Sequence, residues 1–316
     1  MLKPDSWRQD LIVMRYYSFN QFLKEKFGER VQKVTLDAGF GCPNRDGSKG
    51  WGGCIYCDKF GSGSGAKEKY PDIKLQALAG MDYLTKRYNA HKFIPYFQSF
   101  SNTYAPVENL RCLYEEVIHL PNVVGIAVGT RPDCLTKATL DLLASYVLQK
   151  MVWLELGLQS VHDATLRLIN RGHTYQEFLE GYQLARKYPF LICLHVIIGL
   201  PEETRERVLD TAREVARIKP DGIKIHSLYI NRDTALEKIY REKKITPLGQ
   251  KEFVELTCDF LELLPPTVVI QRLTGDPNPK ELVAPEWTLR KNETLQLIHR
   301  ELERRDSWQG KSLRFD

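Results

Sequence analysis

No apolar run in this 316-residue chain is long enough to cross a bilayer, and its opening, MLKPDSWRQDLIVMRYY, lacks the apolar stretch of a signal peptide. A cytoplasmic protein with no membrane contact is the expectation. Excess charge of one sign is small: 45 Lys and Arg stand against 40 Asp and Glu, a net of +5. That balance permits a nucleic-acid partner without requiring one, since a solvated surface gives it as well. Sequence repeats, low-complexity tracts and a clear interdomain linker are lacking too. The cysteines do not form a disulfide framework. They number seven, and Cys112, Cys134, Cys193 and Cys258 are isolated. A reducing compartment fits that usage. What is present is a hydrophobic content of 43%, ample for a sizeable core in one large domain or two small ones.

Apolar runs alternate with amphipathic stretches. A helix over 16–28, ending at Gly28 as C-cap, precedes a buried strand at 31–40. Strands follow at 93–100, 122–130, 151–160, 191–200 and 221–230, with helices at 73–89, 107–119, 136–149, 175–187 and 203–218 between them. Each strand is a near-continuous apolar run, as parallel strands covered on both faces should be. Their spacing of roughly 30 residues is the period of βα units. The pattern predicts an α/β fold with a parallel sheet, doubly wound or curled as a barrel. A seventh strand is possible at 267–275, and the tail, 285–316, is an amphipathic helix with a short end.

The densest chemistry is in GFGCPNRDGSKGWGGCIYCD. Cys54 and Cys57 form a CxxC, and eleven residues separate Cys42 from Cys54. Gly47, Gly50, Gly52 and Gly53 let the loop fold tightly round a ligand; GSGSG at 61–65 is a flexible segment after it. Three thiolates leave an iron–sulfur cubane with one open iron, whereas zinc needs four protein ligands, or three and a water. The loop alone leaves that choice open. In a barrel, chemistry collects at the carboxyl ends of the strands. Those ends are polar here: Gln98-Ser99-Phe100-Ser101-Asn102, Thr130-Arg131-Pro132-Asp133, Gln159-Ser160, and Lys224, His226 and Tyr229. The cysteine loop opens onto the same face.

On these residues the chain resembles the radical SAM superfamily over about 31–230. CIYC at 54–57 is similar to that family's cluster motif, with eleven residues where three are usual, as in the catalytic subunit of elongator. LELGLQS (154–160), INRGHT (169–174), HVIIGLPEET (195–204) and DGIKIHSL (221–228) look like segments of elongator's radical domain and of oxygen-independent coproporphyrinogen dehydrogenase. The resemblance implies a partial (βα)6 TIM-type barrel at 31–235, an N-terminal helical extension at 1–30 and a C-terminal extension at 236–316 packed on the barrel. It implies a [4Fe–4S] cluster on Cys42, Cys54 and Cys57, with S-adenosylmethionine on the open iron, cleaved to a 5′-deoxyadenosyl radical. An electron donor such as flavodoxin or ferredoxin is implied as well.

Carried over residue by residue, Gln159 and Arg171 match contacts to the cofactor's ribose and methionine carboxylate; a guanidinium suits a carboxylate by two parallel bonds. Tyr56 matches an aromatic near the adenine, or a packing residue. His195 stands where some relatives have a ribose-binding carboxylate, or is a buried structural histidine. Gly199 fits a close backbone approach to the adenine, or a turn. Two departures stand out. QSFSNT replaces a Gly-Gly pair, leaving Gln98, Ser99 and Ser101 as candidates for the methionine amino group. Gly129 replaces an acidic residue before TRPD, so that contact comes from Glu155 or is absent.

The whole-chain resemblance, extended by RLTGDPNP (272–279), is to compact bacterial radical SAM proteins associated with wobble-uridine modification in tRNA. It implies conversion of a 5-carboxymethylaminomethyl group on uridine or 2-thiouridine to 5-aminomethyl. Arg131, Lys224, His226, Arg232 and Arg272 are expected to ring the mouth. Among them Arg131, Lys224 and Arg272, with Glu155, are substrate-binding candidates. Lys224, His226 and Tyr229 are catalytic candidates, and Tyr229, Tyr96 and Trp287 are candidates to stack on a base. Two alternatives stand beside this reading: a radical SAM enzyme acting on a small metabolite or porphyrin-like molecule, and a non-catalytic iron–sulfur protein that binds RNA.

Overall fold

A computed structural model describes residues 15–61, 63 and 65–313. Expectations for residues 1–14, for 314–316 and for two positions of the 61–65 segment lie outside the described residues. The strands, in chain order, are β1 (Val31–Leu36), β2 (Lys92–Phe97), β3 (Gly125–Thr130), β4 (Met151–Gln159), β5 (Leu191–Ile198), β6 (Gly222–Ser227), β7 (Ile230–Asn231), β8 (Val269–Arg272) and β9 (Leu282–Ala284). Seven of them form one sheet in the order β1-β2-β3-β4-β5-β6-β8, every pair parallel. β7 and β9 form a separate antiparallel ribbon.

The curled sheet is the expected partial barrel, with one more strand than six: the segment at 267–275 supplies β8, which pairs with β6. The buried runs of β3 and β4 explain its parallel character. With apolar residues on both faces, such strands are stable only when helices cover one side and the curl buries the other. The outer core joins Leu154, Ile192 and Ile225 of the sheet to Leu110, Phe178 and Val215 of the covering helices. Among the described residues no helix is long and apolar enough to cross a membrane.

Local signals set the boundaries. The first helix runs Phe19–Phe27, with Ser18 accepting from the Gln21 amide and Gly28 as a left-handed C-cap. Thr174 and Glu177 form a capping box at the start of the helix Tyr175–Ala185. Strands end sooner than the apolar runs suggest. After Leu36 the chain leaves the sheet because the Gln76 side chain captures both backbone groups of Asp37, at 2.8 and 2.9 Å. The helix expected over 136–149 stops at Ser145, and Tyr146–Lys150 make turns into β4.

The amino-proximal end of the barrel is closed by aromatic packing. Phe19 and Phe22 meet Trp153 edge-on at 5.9 and 5.7 Å. Ser18 bridges to Ile270 of β8, and the Tyr17 carbonyl accepts the Ile270 amide at 2.8 Å. The first helix is thus attached at the edge of the sheet and stoppers one end of the barrel.

Candidate functional site

At the other end, where the strands finish, lies a cavity of about 730 Å³. Its lining includes Cys42, Cys54 and Cys57 and, from the sheet, Tyr96, Glu155, Gln159, His195, His226 and Arg272. The loop bearing the cysteines is held by side chains aimed at its own backbone. Arg45 donates to the carbonyls of Cys57 (2.9 Å) and Asp58 (2.6 Å). Asn44 donates to the Asn170 carbonyl (2.6 Å), and Asn170 donates back to that of Gly53 (2.8 Å). Gly53, at φ +77°, is required there: a Cβ would lie 2.7 Å from Arg45 Nε. Among the described residues no three His, Cys, Asp or Glu side chains are gathered for a single ion. A cubane asks for something wider, one thiolate on each of three irons.

Arg171 is buried beside this loop. Its Nη2 donates to the Gly157 carbonyl at 2.7 Å and its Nη1 approaches Cys54 Sγ at 3.7 Å. Its Nε is buried with no hydrogen-bond partner among the described residues. Gly157 makes the space, since a Cβ there would fall 2.5 Å from Arg171 Nη2 and 2.6 Å from Gln159 Nε2. Gln159 itself has φ +72°, just after a register shift in β4 that turns it toward the cavity.

At the cavity floor is a buried charge cluster. Glu155, in β4, has a fully covered carboxylate that accepts from Lys33 of β1, Lys224 of β6 and His195 Nε2, the last at 2.8 Å. Lys33 also donates to Gln271 at 2.6 Å, and the Lys224 ammonium lies 4.0 Å from the Tyr96 ring centroid. Burial alone would raise the Glu155 carboxyl, but Lys224, Lys33 and His195 outweigh it and hold the group well below its usual range. Burial pushes His195 down to about 4 and Lys224 down to about 7, the latter against the pull of Glu155.

Several candidates lie where the sequence reading put them. Gln98, Ser101, Tyr56, Tyr96 and Tyr229 line the cavity with the residues above. Burial pushes the Tyr229 phenol up to about 12. Others do not lie there. Trp287 is in the outer core: its indole donates to the Leu248 carbonyl at 2.9 Å and packs 5.1 Å from the Phe253 ring. Arg232 is exposed beside the β7–β9 ribbon, outside the cavity lining. Lys224 is beneath the floor, engaged with Glu155, and does not ring the mouth. Arg131 does line the cavity, but as a buried side chain forked onto Asp133 at 2.9 Å twice and donating to the Arg171 carbonyl at 2.7 Å. Burial would raise Asp133, but the Arg131 fork brings it to about 2. Arg131 therefore fixes the segment that carries Arg171. Ser99 packs under Gly63, outside the lining, and Gly199, at φ +95°, faces Leu248 and Leu228. Sequence reasoning missed Lys33, Gly157, Asn44 and Arg45. A lysine inside the apolar β1 was the one legible sign.

Residues 39–215 match the radical SAM superfamily and residues 220–304 match the radical SAM C-terminal domain. The chain is 43% identical over 297 residues to the protein YtqA of Bacillus subtilis, covering 94% of this chain and 92% of that one. It is 30% identical over 173 residues to a tRNA uridine(34) acetyltransferase of Dehalococcoides mccartyi, covering 54% of this chain but 37% of that enzyme. Among solved structures, the archaeal Elp3 of Methanocaldococcus infernus has the same fold, with a TM-score of 0.67 at 18% identity over 88% of this chain and 64% of that chain.

The cavity suits the cofactors that go with this match, a [4Fe–4S] cluster and S-adenosylmethionine. Three thiols face one space, and beside them an unsatisfied buried guanidinium nitrogen awaits an acceptor. Arg171→Ala should lower S-adenosylmethionine affinity at least about tenfold, the size of a lost hydrogen bond to a charged group. Because Arg171 also contacts Cys54, the variant's cluster should be harder to reduce, since a cation beside the thiolate is gone. Equilibrium binding and redox titration test both. Unchanged affinity would remove Arg171 from the cofactor site.

Proposed function

The chain belongs to the radical SAM superfamily, and from that membership we propose that it acts on the wobble uridine of tRNA, converting a 5-carboxymethylaminomethyl group to 5-aminomethyl. The superfamily's [4Fe–4S] cluster and S-adenosylmethionine supply, when bound, a 5′-deoxyadenosyl radical that takes one hydrogen atom from substrate. The protein binds, orients and excludes water. Cys42, Cys54 and Cys57 would hold the cluster, with Arg171 and Gln159 beside it.

One observation carries the substrate reading. Arg272 stands at the end of β8, belongs to the cavity lining and has no carboxylate partner among the described residues. A half-buried guanidinium without a counter-ion is a receptor for an anion, and a carboxylate matches its fork. The carboxymethyl end of the modified uridine supplies one. Tyr229, in the same lining, offers a ring to a base, whereas the Tyr96 ring is taken by Lys224 and Lys33. The acetyltransferase relative acts at tRNA uridine 34, which supports the same polymer and position. Abstraction from the carbon between nitrogen and carboxylate, loss of a second electron and hydrolysis of the imine would release the two-carbon unit as an aldehyde acid.

The test is incubation of the reconstituted enzyme, dithionite and S-adenosylmethionine with tRNA carrying 5-carboxymethylaminomethyluridine. Nucleoside mass spectrometry should show 5-aminomethyluridine appearing, with binding that weakens steeply as salt rises. Unchanged nucleosides alongside cofactor cleavage would point to a small-molecule substrate.

A further inference from the structure

We infer that His226 takes the proton from the substrate's secondary amine, an assignment that rests on the reading of the substrate as a carboxymethylaminomethyl group. His226 is on β6 two residues beyond Lys224, so it shares the inward face one layer nearer the mouth. It lines the cavity, and its Nε2 is buried without a hydrogen-bond partner among the described residues. A buried polar nitrogen without a partner is costly, and in a side chain that lines a cavity a ligand can complete it. The groups that act on it come from each strand around it: Arg272 from β8, Lys224 from β6, His195 from β5, with rings 5.4 Å apart, and Glu155 from β4. Burial, and then Arg272, His195 and Lys224, hold the imidazole neutral well below its usual range. It is therefore in its accepting form at neutral pH.

The chemistry needs an acceptor at this place. The substrate amine is protonated in water and carries two hydrogens on nitrogen. One hydrogen atom leaves the carbon between nitrogen and carboxylate. While the nitrogen keeps both hydrogens it has no lone pair to share with the radical carbon. Removing one proton to His226 Nε2 restores that pair and makes the carbon strongly reducing. One electron then leaves to a one-electron acceptor of the iron–sulfur class, and a C=N bond forms. Water adds to it, the C–N bond breaks, and the amine departs as an ammonium with the aldehyde acid. One hydrogen atom, one proton and one electron leave, and one water enters. An adjacent radical makes the N–H more acidic, so a weakly basic imidazole suffices. The Glu155 carboxylate, one ring beyond, favours the imidazolium as it forms.

The experiment uses reconstituted enzyme and tRNA deuterated at the glycyl carbon. In His226→Gln, deuterium should still reach 5′-deoxyadenosine, while 5-aminomethyluridine formed per deuterium transferred falls about 10²-fold, the scale of general base catalysis. Affinity for the modified anticodon stem-loop, measured without reductant, should change less than about tenfold. Between about pH 6 and 8 the wild-type ratio should be flat, and the variant's should rise with pH as the amine loses its proton unaided. His226→Asn should behave alike, and wild-type iron content in both variants confirms folding. An unchanged ratio at every pH overturns the assignment, as does loss of deuterium transfer together with binding, which would make His226 a positioning residue. If wild-type enzyme transfers no deuterium from that carbon, the substrate reading itself has failed, and this inference with it.

Discussion

Cys54→Ala should leave the anaerobically reconstituted protein without a cubane, its iron falling from about four per chain to near zero, and abolish 5′-deoxyadenosine formation. Cys258→Ala should keep both. The contrast follows from placement. Cys54 is buried against the cavity, its loop pinned to Asn170 and Arg171 of the segment between β4 and β5. Beyond Cys42, Cys54 and Cys57, no cysteine among the described residues lines the cavity. Cys258 lies in the helix Gln250–Leu263 with its thiol toward the Ile298 carbonyl at 3.6 Å. Cys193 is under the floor, where burial raises its thiol far above the usual range. Cys134 is near enough to Cys42 for their charges to interact, but burial pushes its thiol to about 12, the wrong direction for a thiolate ligand. Iron and sulfide analysis with the visible absorption of the reconstituted proteins decides the matter. A full complement of iron in Cys54→Ala would overturn the ligand assignment.

Glu155→Gln should destabilise the protein by about 3–5 kcal/mol, because it leaves the buried Lys224 ammonium and the half-buried Lys33 ammonium facing an amide. The pH dependence has a definite sign. In the wild type the Glu155 carboxyl is held below its usual 4.5, so its contribution is complete above that value and is lost as pH falls toward the folded-state pKa. Lys224 is lowered from 10.5 to about 7, so between those values the unfolded chain binds the proton that the folded chain does not, and stability rises with pH. Without Glu155 the ammonium loses the one carboxylate that raises it. The variant's stability should therefore rise with pH over a wider window, and its acid limb should be shallower. Denaturation midpoints of reconstituted proteins across pH measure this. A loss below about 0.5 kcal/mol would place the charge cluster among groups with no structural weight.

The sequence showed the chemistry better than it showed its supports. Three clustered thiols, polar strand ends and a 30-residue βα period are local signals, and they located the cavity and its cysteines. The partners of Glu155 are not local: Lys33 is 122 residues before it and Lys224 is 69 after it. A lysine beside a strand end was read as a cation at the mouth because its counter-ion was invisible in sequence. Arg131 lines the cavity, but its buried pairing was not legible. Asp133, two residues on, was in view, yet adjacency does not reveal that both would be buried. Trp287 stands in an amphipathic tail, where periodicity does not say which of two buried faces an indole joins. Gly157 is the subtlest omission. In LELGLQS a glycine reads as a gap in a strand, and only the sheet register puts it across from His195, with Arg171 in the space it leaves.

The aromatic stopper of Phe19, Phe22 and Trp153 bears on the order of events. A barrel plugged at one end by the first helix makes its strand-end mouth a shared doorway. Whatever sits deep must enter first and leave last, so a polymer lying across the mouth would trap the smaller reactant beneath it. For such a polymer substrate, compulsory-order kinetics would follow, with the large product departing before the spent nucleoside. The stopper thereby makes the reaction a queue, and holds the reactive species behind the one molecule it is meant to meet.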